Sequence, residues 1–217
     1  MINIAIDGPA GAGKSTIAKL VAKKLGFIYV DTGAMYRAIA YDLLKNGIDP
    51  EDEEALRAEL SKIDVALSYE GDTQIVLLNG ENVNGFIRTE EVGNMASKSS
   101  AKPSVRAALL ELQRDMAKKN NVVMDGRDIG TNILPDAQVK IYLTASSKER
   151  ANRRYKELIE KGMEADLKKI EADIIDRDNR DMNREIAPLK QAEDAEYLDS
   201  SDMTIDQVVE HIISKVN

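Results

Sequence analysis

Cysteine and tryptophan are absent from the 217-residue chain, histidine occurs once, at His211, and there are two phenylalanines. Without cysteine there are no disulfides and no thiolate metal sites, and one imidazole cannot build a histidine-rich site, so any essential metal is expected on oxygen ligands. No run approaches the ~18 apolar residues of a membrane helix, and the apolar start breaks at Asp7 without the basic leader of a signal peptide, so a cytoplasmic protein is expected. Positive charge is in deficit: 30 Lys+Arg against 38 Asp+Glu leave a formal net charge of -8. That balance repels nucleic-acid polymers and anionic membranes at long range, while still allowing a local arginine pocket for a small anion. What remains, 43% hydrophobic and 31% charged residues of mixed sign, describes a packed globule with a solvated surface. The length suits one domain with an inserted subdomain.

Ile2 to Ile6 reads as a strand, and the helical spacing of Ile17, Leu20, Val21 and Leu25 predicts a helix from Thr16 that Gly26 stops. Phe27 to Val30 is a second short apolar run, followed by a helix over Met35 to Lys45 that ends at Asn46 and Gly47. Val122 to Met124, Val139 to Leu143 and Tyr197 to Leu198 add three strand candidates, so an α/β fold with a parallel sheet and crossover helices is expected. Capping boxes are read at Thr204 with Gln207 and at Ser146 with Glu149. Ala66 to Tyr69 and Gln74 to Leu78, flanking Glu70-Gly71-Asp72, read as a hairpin foreign to such a sheet, and Asn79-Gly80 predicts a further turn before a short strand near Asn82 to Val83. Residues 63 to about 92 are therefore expected to form a small antiparallel insert.

Gly8-Pro9-Ala10-Gly11-Ala12-Gly13-Lys14-Ser15 matches the phosphate loop G-x-x-x-x-G-K-[ST], set between a strand and a helix. Glycines let backbone N–H groups converge on phosphate oxygens, and the helix N-terminus adds positive potential. Lys14 reaches the β/γ oxygens and Ser15 can ligate magnesium. The nucleotide-binding stretch is expected to extend to Thr16. A phosphate loop does not by itself choose among kinases, GTPases and ATPases, but no Asn-Lys-x-Asp guanine motif occurs.

Three further runs narrow the choice: Asp31-Thr32-Gly33-Ala34-Met35-Tyr36-Arg37, Asp125-Gly126-Arg127-Asp128-Ile129-Gly130-Thr131 and Arg177-Asp178-Asn179-Arg180-Asp181-Met182-Asn183-Arg184. Together with Ser97, Pro103 and Arg106 they resemble bacterial cytidylate kinases over nearly the whole chain. The resemblance implies a five-stranded parallel core with helices on both sides, a monophosphate-binding insert and a short lid over about 146–165. It implies that Arg37, Arg127 and Arg184 grip the acceptor phosphate, a task suited to the planar guanidinium fork, and that Thr32 and Tyr36 also contact CMP. Asp128 and Ser97 would accept from cytosine N4 and Arg106 would donate to N3 and the 2-oxo group, while Arg177 and Asp181 would contact the ribose. The spacing of Arg177, Asp181 and Arg184 puts all three on one face if this segment is a helix.

An acceptor phosphate with a second pKa of about 6 is largely ionised at neutral pH, so no strong general base is required. Alignment and charge neutralisation remain, through Lys14, magnesium with ATP, and arginines. Asp125, ending an apolar run, has the location of a Walker-B-like aspartate able to hold a magnesium-bound water; a loop cap is the other reading. By resemblance Arg150, Arg153 and Arg154 close over ATP, with Arg153 at the transferring group beside Lys14, Arg127, Asp128 and Arg184. The partners implied are ATP and CMP or dCMP, and the oligomeric state a monomer. A shikimate-type or adenylate-type kinase and a non-catalytic nucleotide-binding regulator are the rival readings.

Overall fold

The computed structural model describes residues 1–71 and 73–216; Asp72, used in the hairpin reading, lies outside the described residues. The chain runs β1 (Asn3–Asp7), α1 (Lys14–Leu25), β2 (Ile28–Asp31), α2 (Thr32–Lys45), α3 (Glu53–Leu60), β3 (Val65–Glu70), β4 (Thr73–Leu78), β5 (Glu81–Asn82), α4 (Glu90–Ser99), α5 (Pro103–Lys119) and β6 (Val122–Gly126). A π turn (Ile129–Ile133), β7 (Val139–Thr144), α6 (Ser147–Glu160), α7 (Leu167–Asn183), β8 (Glu196–Asp199) and α8 (Ile205–Ile213) follow.

The five expected strands form one sheet in the order β2-β6-β1-β7-β8, every pair parallel. Alternation along the strands divides their side chains between two cores. Ala5, Val30, Val122 and Met124 pack with α2 and α5 residues such as Ile39 and Leu109. Ile4, Ile6, Tyr29, Val123 and Ile141 pack on the other face with Ile17 and Val21 of α1 and Val208 and Ile212 of α8. Both faces being covered explains why the strands read as short, continuous apolar runs.

The helices start where side chains can take up their free N–H groups. α2 begins at Thr32, three residues earlier than the spacing predicts, because the Asp31 carboxylate accepts from Ala34 N at 2.8 Å. The box at Thr204 is complete, with both reciprocal bonds to Gln207. At Ser146 only half of it forms: the hydroxyl accepts from Glu149 N, while the Glu149 carboxylate receives Arg153 Nε at 3.3 Å. α7 ends at Asn183, and Arg184 is extended (φ -67, ψ 142), so Arg184 does not continue the helical face of Arg177 and Asp181.

The second sheet, β3-β4-β5, is antiparallel and lies beside the edge strand β2. Its side chains, not its backbone, meet that edge. Gln74 Oε1 accepts from Asp31 N at 2.9 Å, its Nε2 donates to Asp31 O at 3.3 Å, and Tyr69 OH donates to Tyr29 O at 3.1 Å. Among the described residues no helix is long and apolar enough to cross a membrane.

Candidate active site

Parallel strands deliver their carboxyl ends to one rim of the sheet, and here three of them carry a buried aspartate there: Asp7 and Asp31 as the last residues of β1 and β2, and Asp125 as the last but one of β6. Asp31 stands in register beside Asp125, and Asp7 beside Gly126. Charges placed there are expensive to bury unless paired or hydrogen-bonded, and each aspartate fixes a different part of the site.

Asp125 faces the phosphate loop. Its Oδ2 accepts from Ser15 Oγ at 2.9 Å and its Oδ1 from Tyr29 OH at 2.8 Å, while Thr32 Oγ1 donates to its backbone carbonyl at 2.8 Å. Burial, then the neighbouring Asp31, push its carboxyl up to about 6. An oxygen pair of hydroxyl and carboxylate is the donor chemistry magnesium takes when phosphates complete its shell, so Ser15 and Asp125 fit the expected metal. Lys14, 5% exposed, donates from Nζ to Pro9 O at 2.7 Å. Burial and the nearby Arg127 hold its ammonium well below the ordinary lysine range. Gly8, Gly11 and Gly13 have φ of 148, 74 and 86, which frees the loop to turn its amides inward.

Asp7 orders the turn that follows β6. Its two oxygens accept from Ile129 N at 2.8 Å and Gly130 N at 2.7 Å, capping the π turn that carries Asp128. Burial outweighs these bonds and pushes the Asp7 carboxyl up to about 6. The folded chain therefore holds this proton more tightly than the unfolded chain, and the group's contribution to stability is full near pH 4 and lost as the pH rises to 6. The stability difference between the parent and Asp7→Asn should fall by about 3 kcal/mol across that window and level off above it. Urea titrations at each pH measure it, and a flat difference would refute the role of burial here.

Asp128 is the hub of the next layer. It accepts from Arg106 Nη2 and from Asn132 Nδ2 at 3.1 Å, and stands in an ion pair, without a hydrogen bond, 3.5 Å from Arg184 Nη2. Arg106 also lies over the Tyr36 ring, 5.5 Å from its centre. Asp181 receives Arg127 Nε at 2.9 Å and Ser97 Oγ at 3.3 Å. Arg37 and Arg88 share Asp31 Oδ2 at 3.4 and 2.7 Å. The guanidiniums are under-satisfied: Arg37 Nε, Arg177 Nε and Arg184 Nη2 are buried without a hydrogen-bond partner. Burial, then Arg127, lower the Arg177 guanidinium to about 10. Converging cations with free donors form a receptor for an anion.

Thr32, Tyr36, Arg37, Ser97, Arg106, Arg127, Asp128, Asp181 and Arg184 thus gather in adjoining clusters at this rim, with the Arg177 charge close to those of Arg127 and Asp181. The three arginines of α6 divide. Arg150 is buried against the loop, donating to Ala10 O at 2.8 Å, and Arg153 borders Gly13 while donating to Ser200 O at 2.9 Å. Arg154 turns outward and pairs with Glu157 at 2.9 Å on the exposed side of α6. His211 bonds Glu196 at 2.6 Å, away from the site. Sequence reasoning assigned no role to Asp7, Tyr29, Asp31, Arg88 or Asp178. Asp7 and Asp31 carry a legible signal, an acidic residue ending an apolar strand; the other three have partners too distant in sequence to be inferred.

The cytidylate kinase family model matches residues 4–217. A cytidylate kinase of Shouchella clausii is 50% identical over 214 residues, covering 99% of this chain and 95% of its own. One from Ligilactobacillus salivarius is 51% identical over 213 residues, covering 98% and 95%. Among solved structures, an uncharacterized protein from Eubacterium ventriosum shares the fold, with a TM-score of 0.53 at 14% identity over 100% of this chain and 98% of that one. With nearly the whole length aligned at this identity and the motif residues assembled at one rim, the chain belongs to the cytidylate kinase family.

Proposed function

We propose that this protein transfers the γ-phosphoryl group of ATP to CMP and dCMP, giving CDP and dCDP, as a cytoplasmic monomer. The observation that carries the reading is the Arg106–Asp128 pair, buried on the acceptor side of a phosphate loop. A carboxylate and a guanidinium side by side offer an acceptor to the cytosine amino group and donors to N3 and the 2-oxo oxygen. Uracil reverses the polarity at two of these positions, which would set its 4-oxo oxygen against the carboxylate. Ser97 extends the acceptor edge, and Tyr36 supports Arg106 from below.

In this reading Arg37, Arg127 and Arg184 hold the acceptor phosphate and Arg177 and Asp181 the sugar. The segment 63–92 is the acceptor-binding insert, and it brings Arg88 to Asp31. The phosphate loop from Gly8 to Thr16 cradles the triphosphate. Arg150 steadies that loop, Arg153 reaches over it from the lid at 146–165, and Arg154 remains free to swing in. Magnesium, held by Ser15 and through a water by Asp125, would neutralise charge on the triphosphate. Lys14 and the arginines hold the two anions end to end, and the acceptor oxygen needs no base because it is already ionised.

Coupled ADP release with CMP, dCMP, UMP, AMP and shikimate tests this. Turnover is expected with CMP and dCMP, less with UMP, and none with AMP or shikimate. Turnover with shikimate or AMP instead, or ATP binding without any acceptor-dependent turnover, would defeat the proposal. In Asp128→Ala the preference for CMP over UMP should shrink by about 10² or more, since sites built on buried hydrogen bonds discriminate by ~10⁴. An unchanged ratio would reduce Asp128 to a structural role.

A further inference from the structure

Asp178 lies on α7 between the two sugar-facing groups, next to Arg177 and three positions before Asp181, and is 7% exposed. It faces the other way, toward the phosphate loop. Its Oδ1 accepts from Ala10 N at 3.3 Å, and its Oδ2 pairs with Arg150 Nη2 at 2.7 Å. Arg150, 5% exposed, donates Nη1 to Ala10 O at 2.8 Å and Nε to Ala145 O at 2.9 Å. Both backbone polar groups of one phosphate-loop residue are thus bonded by side chains of α6 and α7.

From this geometry we infer that Asp178 is a positioning residue that makes the binding of the two substrates cooperative; the inference rests on the ATP and CMP reading above. Seating α7 brings Arg177 and Asp181 into the acceptor pocket and Asp178 onto Ala10 in the same movement. A loop wrapped round a triphosphate offers the Ala10 amide in a fixed place, so α7 docks with less ordering left to do. By linkage the acceptor must then order the loop to the same extent. The buried carboxylate of Asp178 is matched by Arg150, which ties the contact to the packing of α6 against α7.

Calorimetric titration of CMP, with and without a non-hydrolysable ATP analogue and magnesium, measures the coupling. In the parent the analogue should tighten CMP by about 5-fold or more. Asp178→Asn removes the charge facing Arg150, and with it the pairing that holds this side chain on Ala10 N. There the analogue should alter CMP affinity by less than about 2-fold, while CMP binding alone stays near the parent value, because the acceptor contacts themselves are untouched. Since an unpaired buried Arg150 can unfold the chain, a measurement without substitution accompanies it. Exchange of the Ala10 amide proton in the parent, followed by NMR, should slow by about 5-fold or more when CMP alone is added. An unchanged exchange rate, or an Asp178→Asn protein with the parent's coupling, overturns the inference. A parent that binds no CMP sinks the functional reading and the inference with it.

Discussion

Gly8→Ala is expected to abolish the fold of the phosphate loop and to lower stability by more than about 4 kcal/mol, a range reached by few single substitutions. A Cβ at Gly8 would stand 1.9 Å from the backbone carbonyl oxygen of Leu143, in the middle of the sheet, at a φ of 148 that side chains rarely adopt. Neither partner can yield: Leu143 belongs to β7, which is paired on both sides, with β1 and with β8. Gly47→Ala is the internal control. It also has a positive φ, 67, but nothing within 4 Å, so only the backbone preference of about 1–2 kcal/mol is lost. Urea titration of the two variants against the parent separates steric collision from conformational strain, and equal losses would discard the collision argument. Because a typical domain has only about 5–15 kcal/mol in hand, Gly8→Ala should also fail to retain ATP.

Lys14→Met is expected to do the reverse, removing activity while leaving the fold standing. The ammonium is buried, and its charged form is disfavoured by burial and by Arg127. A charge held under those conditions does little for stability, and an apolar side chain of similar length should shift unfolding by no more than about 1 kcal/mol. Phosphoryl transfer, by contrast, loses a cation aimed at the charge that builds during the reaction, and should fall by about 10³-fold or more. Saturating both substrates distinguishes this from weak binding: a rate recovered at high ATP would show that Lys14 only holds the nucleotide. Full activity in the variant would remove the assignment of Gly8 to Ser15 as a triphosphate cradle.

How much of this could be read in advance depended on the range of the interactions. The loop from Gly8 to Ser15, the capping box at Thr204 and the hairpin either side of Gly71 are patterns within a few residues, and each was legible because its chemistry is local. Arg184 marks where local spacing fails. Three residues after Asp181 it should share a helical face, yet the helix ends at Asn183, and Ala187, at φ 47, turns the chain. Arg184 still reaches Asp128, by tertiary placement and not by periodicity. Asp178 and Arg88 meet partners 168 and 57 residues away, a distance over which no spacing rule operates. The strand-end carboxylates Asp7 and Asp31 were visible as residues, but their work as caps for the π turn and for α2 exists only once the sheet has brought its ends together.

The contacts of Gln74 and Tyr69 with β2 bear on solubility. An open border of a parallel sheet is a template on which a foreign strand can grow, and proteins protect such borders by covering or charging them. Here a side-chain amide occupies both main-chain groups of Asp31 and a phenol takes the carbonyl of Tyr29. The small antiparallel sheet thus keeps neighbouring molecules from adding to the larger one. Trimming it would expose that border to aggregation.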